Sequence, residues 1–319
     1  MSDAGHRGVL GTGAPHNPPV SDFRPRRRVH EEIIRLILFA FAAVSILTTV
    51  SIVVILSREA FLFFADPDVG LREFFGTTVW QPQLRRFGVW PLVSATFMTS
   101  SIAMLVAGPL GVFVAIYLSE YASENVRSVL KPVLEVLSGI PTVVYGYFAL
   151  TFMTPLLRSI FGTDMVEIYN TASAGIVLGI LVLPLVSTLA EDALSAVPTS
   201  LREAAYGLGS TKIETALQVV LPASISGLAA SFIIGLSRAV GETMIVSLAA
   251  GAGPNFTLNP FRAAETITGH IVRISGGDIA YDTLDYNSIF ALGLLLFVIT
   301  LTLNMISRRI VTKYREVYE

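Results

Sequence analysis

Long apolar runs separated by short polar stretches make up most of this chain. Six runs contain no Asp, Glu, Lys or Arg, and each is long enough to form a helix that crosses a bilayer. They are residues 36–57, 90–119, 136–157, 171–190, 216–237 and 288–307. A single run of this kind could be a buried core helix, but six of them in 319 residues are typical of a membrane protein. The pattern predicts an all-α polytopic integral membrane protein with six transmembrane helices.

Basic residues flank these runs unevenly. With the N-terminus placed inside, about two-thirds of the 22 Lys and Arg residues fall in inside segments. Cytoplasmic loops carry the excess of positive charge in membrane proteins, so both termini are expected in the cytoplasm. Residues 1–32 are rich in Gly, Pro, Ser, Asp and Arg, and we expect a disordered cytoplasmic tail there. Extracytoplasmic loops are expected over residues 58–89 and 251–287.

Composition excludes several kinds of chemistry. The chain has no cysteine, which rules out disulfides, cysteine-ligated zinc and iron–sulfur clusters. A net charge of −2 gives no reason to expect nucleic-acid binding. No lysine follows a glycine, so the chain contains no phosphate loop of a P-loop ATPase. The histidines lack metal-ligand spacing, and we expect no catalytic residues, no metal and no cofactor.

A short polar segment between the fourth and fifth runs is not explained by a need to cross lipid. Ser200 and Glu203 have the spacing of a capping box, which predicts the start of a helix. Gly207 and Gly209 are expected to end it. Its apolar stripe consists of Leu201, Ala205 and Leu208. Such a helix could lie on lipid, but its small apolar side chains favour docking into a groove of another protein.

The same segment resembles the EAA loop of ABC-transporter permeases. The sequence Glu203-Ala204-Ala205 is followed at the family's spacing by Gly209 and then by Val219-Val220-Leu221-Pro222, with Val219 where the family has Ile. The resemblance implies a cytoplasmic coupling loop over residues 191–222. It also implies that Glu203, Ala204, Ala205 and Gly209 couple the chain to an ATPase subunit.

Two further stretches, residues 139–146 and 238–244, are similar to the permeases of the phosphate-specific transport system. The resemblance covers roughly residues 33–315 and fits a PstC-type subunit better than a PstA-type one. It implies a MetI-like permease domain over residues 33–315 that forms half of the path of an ATP-driven importer for inorganic phosphate. The implied partners are a PstA-type second permease subunit, a PstB-type ATPase dimer, an extracytoplasmic phosphate-binding protein and membrane lipid.

Two charged residues lie at the end of the fifth run. Arg238 and Glu242 are four residues apart, so on one helix they would share a face and pair. If the helix leaves the cytosol near Ser224, Arg238 lies roughly 21 Å along it, in the outer half of the bilayer. The pair could be a structural lock between helices. It could also be a polar element of the translocation path, since the arginine fork suits a tetrahedral anion, and the family resemblance supports this second interpretation.

Alternatives remain at two levels. Pro141 and Pro184 each remove a backbone hydrogen bond from a span, and each could be a fixed kink or a hinge. At the level of function, an ABC permease for another oxyanion, such as molybdate or sulfate, would share the coupling loop. A secondary transporter would need no cytoplasmic docking helix. A membrane scaffold or sensor would tolerate neutralising Arg238 and Glu242.

Overall fold

The computed structural model describes residues 29–277 and 283–314. Residues 1–28 of the expected tail lie outside the described part, and the first helix begins at Val29. The first half of the chain forms α1 (Val29–Ala65), α2 (Leu71–Gly76), strands β1 (Trp80–Gln81) and β2 (Arg86–Phe87), α3 (Trp90–Ile116), α4 (Glu124–Gly139), α5 (Thr142–Phe148) and α6 (Thr154–Phe161). The second half forms α7 (Thr171–Ser195), α8 (Thr199–Gly207), α9 (Lys212–Thr215), α10 (Leu221–Ala223), α11 (Ile225–Val240), α12 (Met244–Ala249), α13 (Ile267–Ser275) and α14 (Leu284–Tyr314).

Short turns of other helical types extend these elements. A 3-10 turn, Pro82–Leu84, connects the two strands, which pair antiparallel. Single π-helical turns follow α3, connect α5 to α6 and connect α9 to α10; their bounds are Tyr117–Tyr121, Ala149–Met153 and Ala216–Val220. The helices of the third and fifth spans therefore run on through a π-helical turn.

The membrane-spanning helices agree in number with the prediction. Over residues 29–277 and 283–314, five segments are long and apolar enough to cross a membrane: Glu31–Ala65, Trp90–Tyr121, Thr142–Phe161, Thr171–Ser195 and Leu284–Lys313. A sixth crossing forms if the bent pair Lys212–Ala223 and Ile225–Val240 is counted as one span, with a bend of 73° between its halves. The described residues thus provide five candidate spans and a sixth, broken one, if the bent pair crosses as a unit.

The third predicted span begins in the wrong place. The apolar run starts at residue 136, but α4 ends at Gly139 and the span begins at Thr142. Pro141 occupies the cap position of α5, where its fixed φ and missing N–H are compatible with a helix start. It therefore lies between two helices rather than within one. Pro184, by contrast, lies inside α7.

A close contact between α3 and α7 forms the centre of the described bundle. Gly175 and Gly179 of α7 are four residues apart, the spacing of the small-residue contacts by which membrane helices approach closely. A Cβ atom at Gly179 would lie 2.8 Å from the carbonyl oxygen of Ala103, and one at Gly175 would lie 3.0 Å from that of Thr99. Only glycine permits this separation of the two backbones. The apolar core around the contact also includes residues of α5, α11 and α12.

The predicted outer loops contain more regular structure than expected. The first includes the end of α1, α2 and the β1–β2 hairpin, and the second includes α13. Phe63, Phe74, Trp80 and Phe87 pack edge to face in a second apolar cluster. By compactness the chain divides into two units, Met1–Ile52 and Val53–Glu319. The described part of the first unit is the beginning of α1, where most apolar side chains are exposed. The second unit contains all the residues considered below.

Candidate functional site

Helix α8 begins without the predicted capping box. Its first residue is Thr199, preceded by Pro198, and no side chain caps its N-terminus. The predicted pair of Ser200 and Glu203 is therefore wrong as a cap. A capping box does form one helix later, where the side chain and backbone of Thr211 are bonded reciprocally to Glu214 at the start of α9. Both helices of the segment start at defined residues, but only the second uses side-chain capping.

The C-terminal end of α8 agrees with the prediction. Gly207 is its last residue, and Gly209 follows with a φ of +88°, in the left-handed region that favours glycine. The Ser210 N–H donates to the Ala205 carbonyl at 3.1 Å, and the Gly209 N–H donates to the Tyr206 carbonyl at 2.9 Å. These bonds satisfy carbonyl groups that a helix end leaves unpaired, so α8 ends in a defined turn.

Helix α8 has one packed face and one exposed face. Ala205 is buried, and Leu201 packs against an apolar cluster formed by the ends of α3 and α7 and the start of the fifth span. Glu203 and Ala204 are exposed. Leu208 is 89% exposed and does not belong to the packed stripe, in contrast to the prediction. The exposed face of α8 thus carries a carboxylate and a small residue, and a large apolar side chain is exposed directly after the helix.

The side chain of Arg202 fixes α8 to two spanning helices. Its Nε and Nη2 donate to Glu120 Oε1 at 3.1 and 2.9 Å, and Glu120 lies in the π-helical turn after α3. Nη2 also donates to the carbonyl oxygen of Leu194, in the last turn of α7, at 2.8 Å, and Nη1 donates to that of Val197, between α7 and α8. The charged side chains of Arg202 and Glu120 are only 15% and 5% exposed. This contact was not expected from the sequence.

Arg238 and Glu242 form the predicted ion pair, with Arg238 Nη1 2.8 Å from Glu242 Oε2. The helix does not continue through both residues, however, because α11 ends at Val240 and α12 begins at Met244. Glu242 lies in the break between them, and its Oε1 accepts a hydrogen bond from the Met244 N–H at 3.2 Å. The predicted pairing is confirmed, but the predicted single helix is wrong.

The two charges differ in accessibility. The Glu242 side chain is 3% exposed, whereas that of Arg238 is 45% exposed. The backbone carbonyl of Glu242 accepts a hydrogen bond from Thr268 Oγ1 at 2.6 Å, which ties the break to the start of α13. The carboxylate is therefore held in place, and part of the Arg238 side chain is exposed. The α8 residues and Arg238 belong to separate sites, with most of α11 between them.

A second charged cluster joins the two outer segments. Trp80 Nε1 donates to His270 Nε2 at 3.1 Å, and His270 Nδ1 lies 3.1 Å from Glu265 Oε2. Arg273 Nε donates to Glu265 Oε1 at 2.6 Å. Because the Trp80 N–H can only donate, Nε2 of His270 is the acceptor, and the ring proton lies on Nδ1, which donates a hydrogen bond to Glu265 Oε2. This cluster was not predicted from the sequence. Glu265 lies just before α13 and His270 and Arg273 lie within it, so their spacing could have suggested hydrogen bonds near the start of that helix.

The environment of Glu265 shifts its acidity. Burial alone raises the pKa of this carboxyl group, but hydrogen bonds from His270 and Arg273, with the positive charge of Arg273, outweigh that effect and hold the pKa below its usual value. The pKa of Arg273 is raised, chiefly by its hydrogen bond to Glu265. The cluster is thus an ionised carboxylate held by an arginine. Among the described residues, no three His, Asp or Glu side chains are grouped to hold a metal ion.

Comparison with known proteins places the fold in context. Residues 107–316 match the family described as "Binding-protein-dependent transport system inner membrane component". The "Probable ABC transporter permease protein YqgH" of Bacillus subtilis (strain 168) is 32% identical over 281 residues, which cover 87% of this chain and 89% of that protein. The "Phosphate transport system permease protein PstC" of Xylella fastidiosa (strain 9a5c) is 33% identical over 254 residues, or 74% of this chain and 77% of that protein.

Two solved structures share the fold. One is titled "Inward facing conformations of the MetNI methionine ABC transporter" and is 22% identical, with a TM-score of 0.51 over 74% of this chain and 99% of that chain. The other is a bacterial ABC transporter involved in alginate import, 19% identical, with a TM-score of 0.54 over 88% of this chain and 99% of that chain. The fold is the MetI-like permease architecture, whose members work with an ATPase and a substrate-binding protein. The chain is a multi-pass membrane protein and belongs to the family of binding-protein-dependent transport system inner membrane components.

Proposed function

We propose that the chain is the PstC-type permease subunit of an ATP-driven importer for inorganic phosphate. The observation that carries the substrate is its similarity, over about three-quarters of the chain or more, to phosphate transport permeases of several organisms. The partners would be a PstA-type permease, a PstB-type ATPase dimer and an extracytoplasmic phosphate-binding protein. ATP hydrolysis would occur on the ATPase alone, and this chain would supply the path and the coupling, with no catalytic group of its own.

Helix α8 is the segment we assign to the ATPase. Glu203, Ala204 and Ala205, with Gly209 after them, carry the EAA pattern, and the geometry of the helix supports docking. Its outer face is exposed, and Leu208, directly after the helix, is an apolar side chain that a partner could cover. Its inner face is fixed to the ends of α3 and α7. A docked helix with this construction can be moved by a partner and can move the spans in turn. Both chain termini would then lie in the cytoplasm.

Arg238 is the residue we assign to the translocation path. Phosphate accepts many hydrogen bonds, and a guanidinium offers several donors in a fixed geometry. Glu242 engages Nη1 of Arg238, and the side chain remains 45% exposed. The nearby carboxylate weakens the attraction for an anion, which suits a path that must release its solute. Glu242 would therefore support and moderate Arg238 rather than contact phosphate.

The first test is uptake of labelled phosphate at low external concentration, in cells with and without this chain. Molybdate and sulfate are added as competitors. We expect uptake to require the chain and to be unaffected by either competitor. Strong competition by molybdate or sulfate would instead favour a permease for another oxyanion. Unchanged phosphate uptake after deletion, in cells lacking every other phosphate importer, would refute the substrate assignment.

Charge variants test the two sites separately. Glu203→Lys on the exposed face of α8 should abolish copurification of the ATPase, and uptake should fall with it. Glu135→Lys is the matched control, because Glu135 is an exposed carboxylate on α4, outside the EAA segment. Arg238→Gln should leave the complex assembled and reduce uptake at least tenfold. Copurification of the ATPase with Glu203→Lys at the wild-type level would contradict the docking role, and normal uptake with Arg238→Gln would contradict the path role.

A further inference from the structure

Movement of α8 has to reach the spanning helices through the packed face of α8. We propose that Arg202 is the positioning residue that transmits this movement, through its contacts with Glu120 and with the C-terminal end of α7. The inference rests on the proposed function, in which α8 is the docking helix. It assigns the transmission to one side chain on the packed face of α8, away from the exposed docking residues Glu203 and Ala204.

The geometry of the guanidinium favours this role. Its donors reach the Glu120 carboxylate after α3, the carbonyl oxygen of Leu194 in the last turn of α7, and the carbonyl oxygen of Val197 in the turn between α7 and α8. Carbonyl groups at a helix C-terminus have no partner within the helix and carry partial negative charge, so they are suited to a cation. A rigid, planar fork holds such a set of acceptors in fixed directions, which a lysine ammonium on its flexible stem does not.

The other contacts of the packed face are less directional. Leu201 and Ala205 lie against apolar side chains, and apolar burial has no preferred direction. Ala205 is too small to interlock with its neighbours. The ion pair of Arg202 with Glu120 is largely shielded from water, at 15% and 5% exposure, so its electrostatic attraction is screened less than that of a surface pair. Arg202 is thus the contact that resists both sliding and lifting of α8.

A second buried charge nearby supplies a matched control. Lys131 of α4 lies 2.6 Å from Glu191 of α7, and the Glu191 side chain is 2% exposed. This pair resembles that of Arg202 in having a buried carboxylate and in involving the last turns of α7. It leads to α4, however, and not to α8. If the variants act only by lowering local stability, substitutions in both pairs should uncouple ATP hydrolysis from transport. If transmission from α8 is lost, only substitution of Arg202 should do so.

The experiment measures ATP hydrolysed per phosphate transported. The complete importer is purified through a tag on this chain, reconstituted in proteoliposomes and supplied with the phosphate-loaded binding protein. We expect Arg202→Gln to assemble with the ATPase and to raise the ratio of ATP hydrolysed to phosphate transported at least tenfold. Arg202→Lys, which keeps the charge and loses the fork, should give an intermediate ratio. Lys131→Gln should leave the ratio within twofold of the wild type.

Each outcome decides the proposal. An assembled Arg202→Gln importer with a wild-type ratio overturns it, and so does an equal rise in the ratio with Lys131→Gln. If Arg202→Gln does not assemble, the ratios of Arg202→Lys and Glu120→Gln decide in the same way. Failure of the proposed function is recognised separately, because the wild-type chain would then not copurify with an ATPase or would not transport phosphate.

Discussion

Replacing Gly179 by alanine introduces one methyl group into the closest contact between α3 and α7. The new Cβ would lie 2.8 Å from the backbone oxygen of Ala103 and 2.8 Å from the Cβ of Val106, where an ordinary contact begins at 3.4 Å. The two helices would have to separate by about 0.6 Å at this point, a figure taken from these distances. Neither obstructing atom is the end of a flexible side chain, so the strain cannot be relieved by a change of rotamer.

The magnitude follows from two opposing effects. Inserting a methyl group into a packed interior costs about 1–3 kcal/mol. Alanine is the better helix former by about 1 kcal/mol, which offsets part of that loss. Gly139→Ala is the reference for an added methyl group without a clash, because a Cβ at Gly139, the last residue of α4, meets no atom within 4 Å. The difference between the two variants should therefore be close to the packing cost, or about 5- to 150-fold in the unfolding equilibrium.

Thermal unfolding in detergent, followed by circular dichroism, measures this difference. For a chain of this size we expect Gly179→Ala to unfold about 2–12 °C below Gly139→Ala. Gly139→Ala should match the wild type or exceed it slightly. Equal midpoints for the two variants would refute the argument that the separation of α3 and α7 depends on a missing side chain.

Three other predictions concern the turn after α8 and the outer cluster. Gly209→Ala strains a backbone with φ +88° by about 1–2 kcal/mol, so hydrogen exchange of the amides in the last turn of α8 should rise about tenfold. The pKa of Glu265 is lower in the fold than in the unfolded chain, so its ionised form stabilises the fold above its ordinary pKa, and this contribution is lost as the pH falls through the folded-state pKa. Glu265→Gln should therefore flatten the acid-side decline of the melting temperature; an unaltered decline would contradict the assignment. Trp80→Phe removes the donor to His270 and should destabilise the chain by about 1–3 kcal/mol, as measured by its melting temperature.

The sequence predicts the spans well because run length alone determines whether a helix can cross a bilayer. It fails where an apolar run contains a break, since composition does not change there. The run from residue 136 is continuous, yet Pro141 separates α4 from α5. The same reason explains the fifth span, where Ser224 separates α10 from α11 within an uncharged stretch. Hydropathy reports whether residues prefer lipid to water, and it carries no information on the direction of the chain.

The sites that the sequence could predict are those formed by residues close together in the chain. Residues 203–209 and the pair of Arg238 and Glu242 could be found because their members are close in sequence. The contact of Arg202 with Glu120 joins residues 82 positions apart, and that of Trp80 with His270 joins residues 190 positions apart. Such pairs leave no local pattern, because their spacing is set by how the helices pack and not by the period of one helix. The glycines of α7 did have a local pattern, and their four-residue spacing could have predicted the close contact with α3.

The bend at Ser224 determines how displacements change direction inside this chain. The segment before it meets α11 at 73°, so a shift along the first axis has a component of only about 0.3 along the second. Nearly all of the shift appears as a sideways displacement of the near end of α11. If the far end is held by the tie between Glu242 and Thr268, α11 must tilt rather than slide. A displacement of the segment Lys212–Ala223 along its axis would then be converted into a rotation of α11 about its end near Glu242.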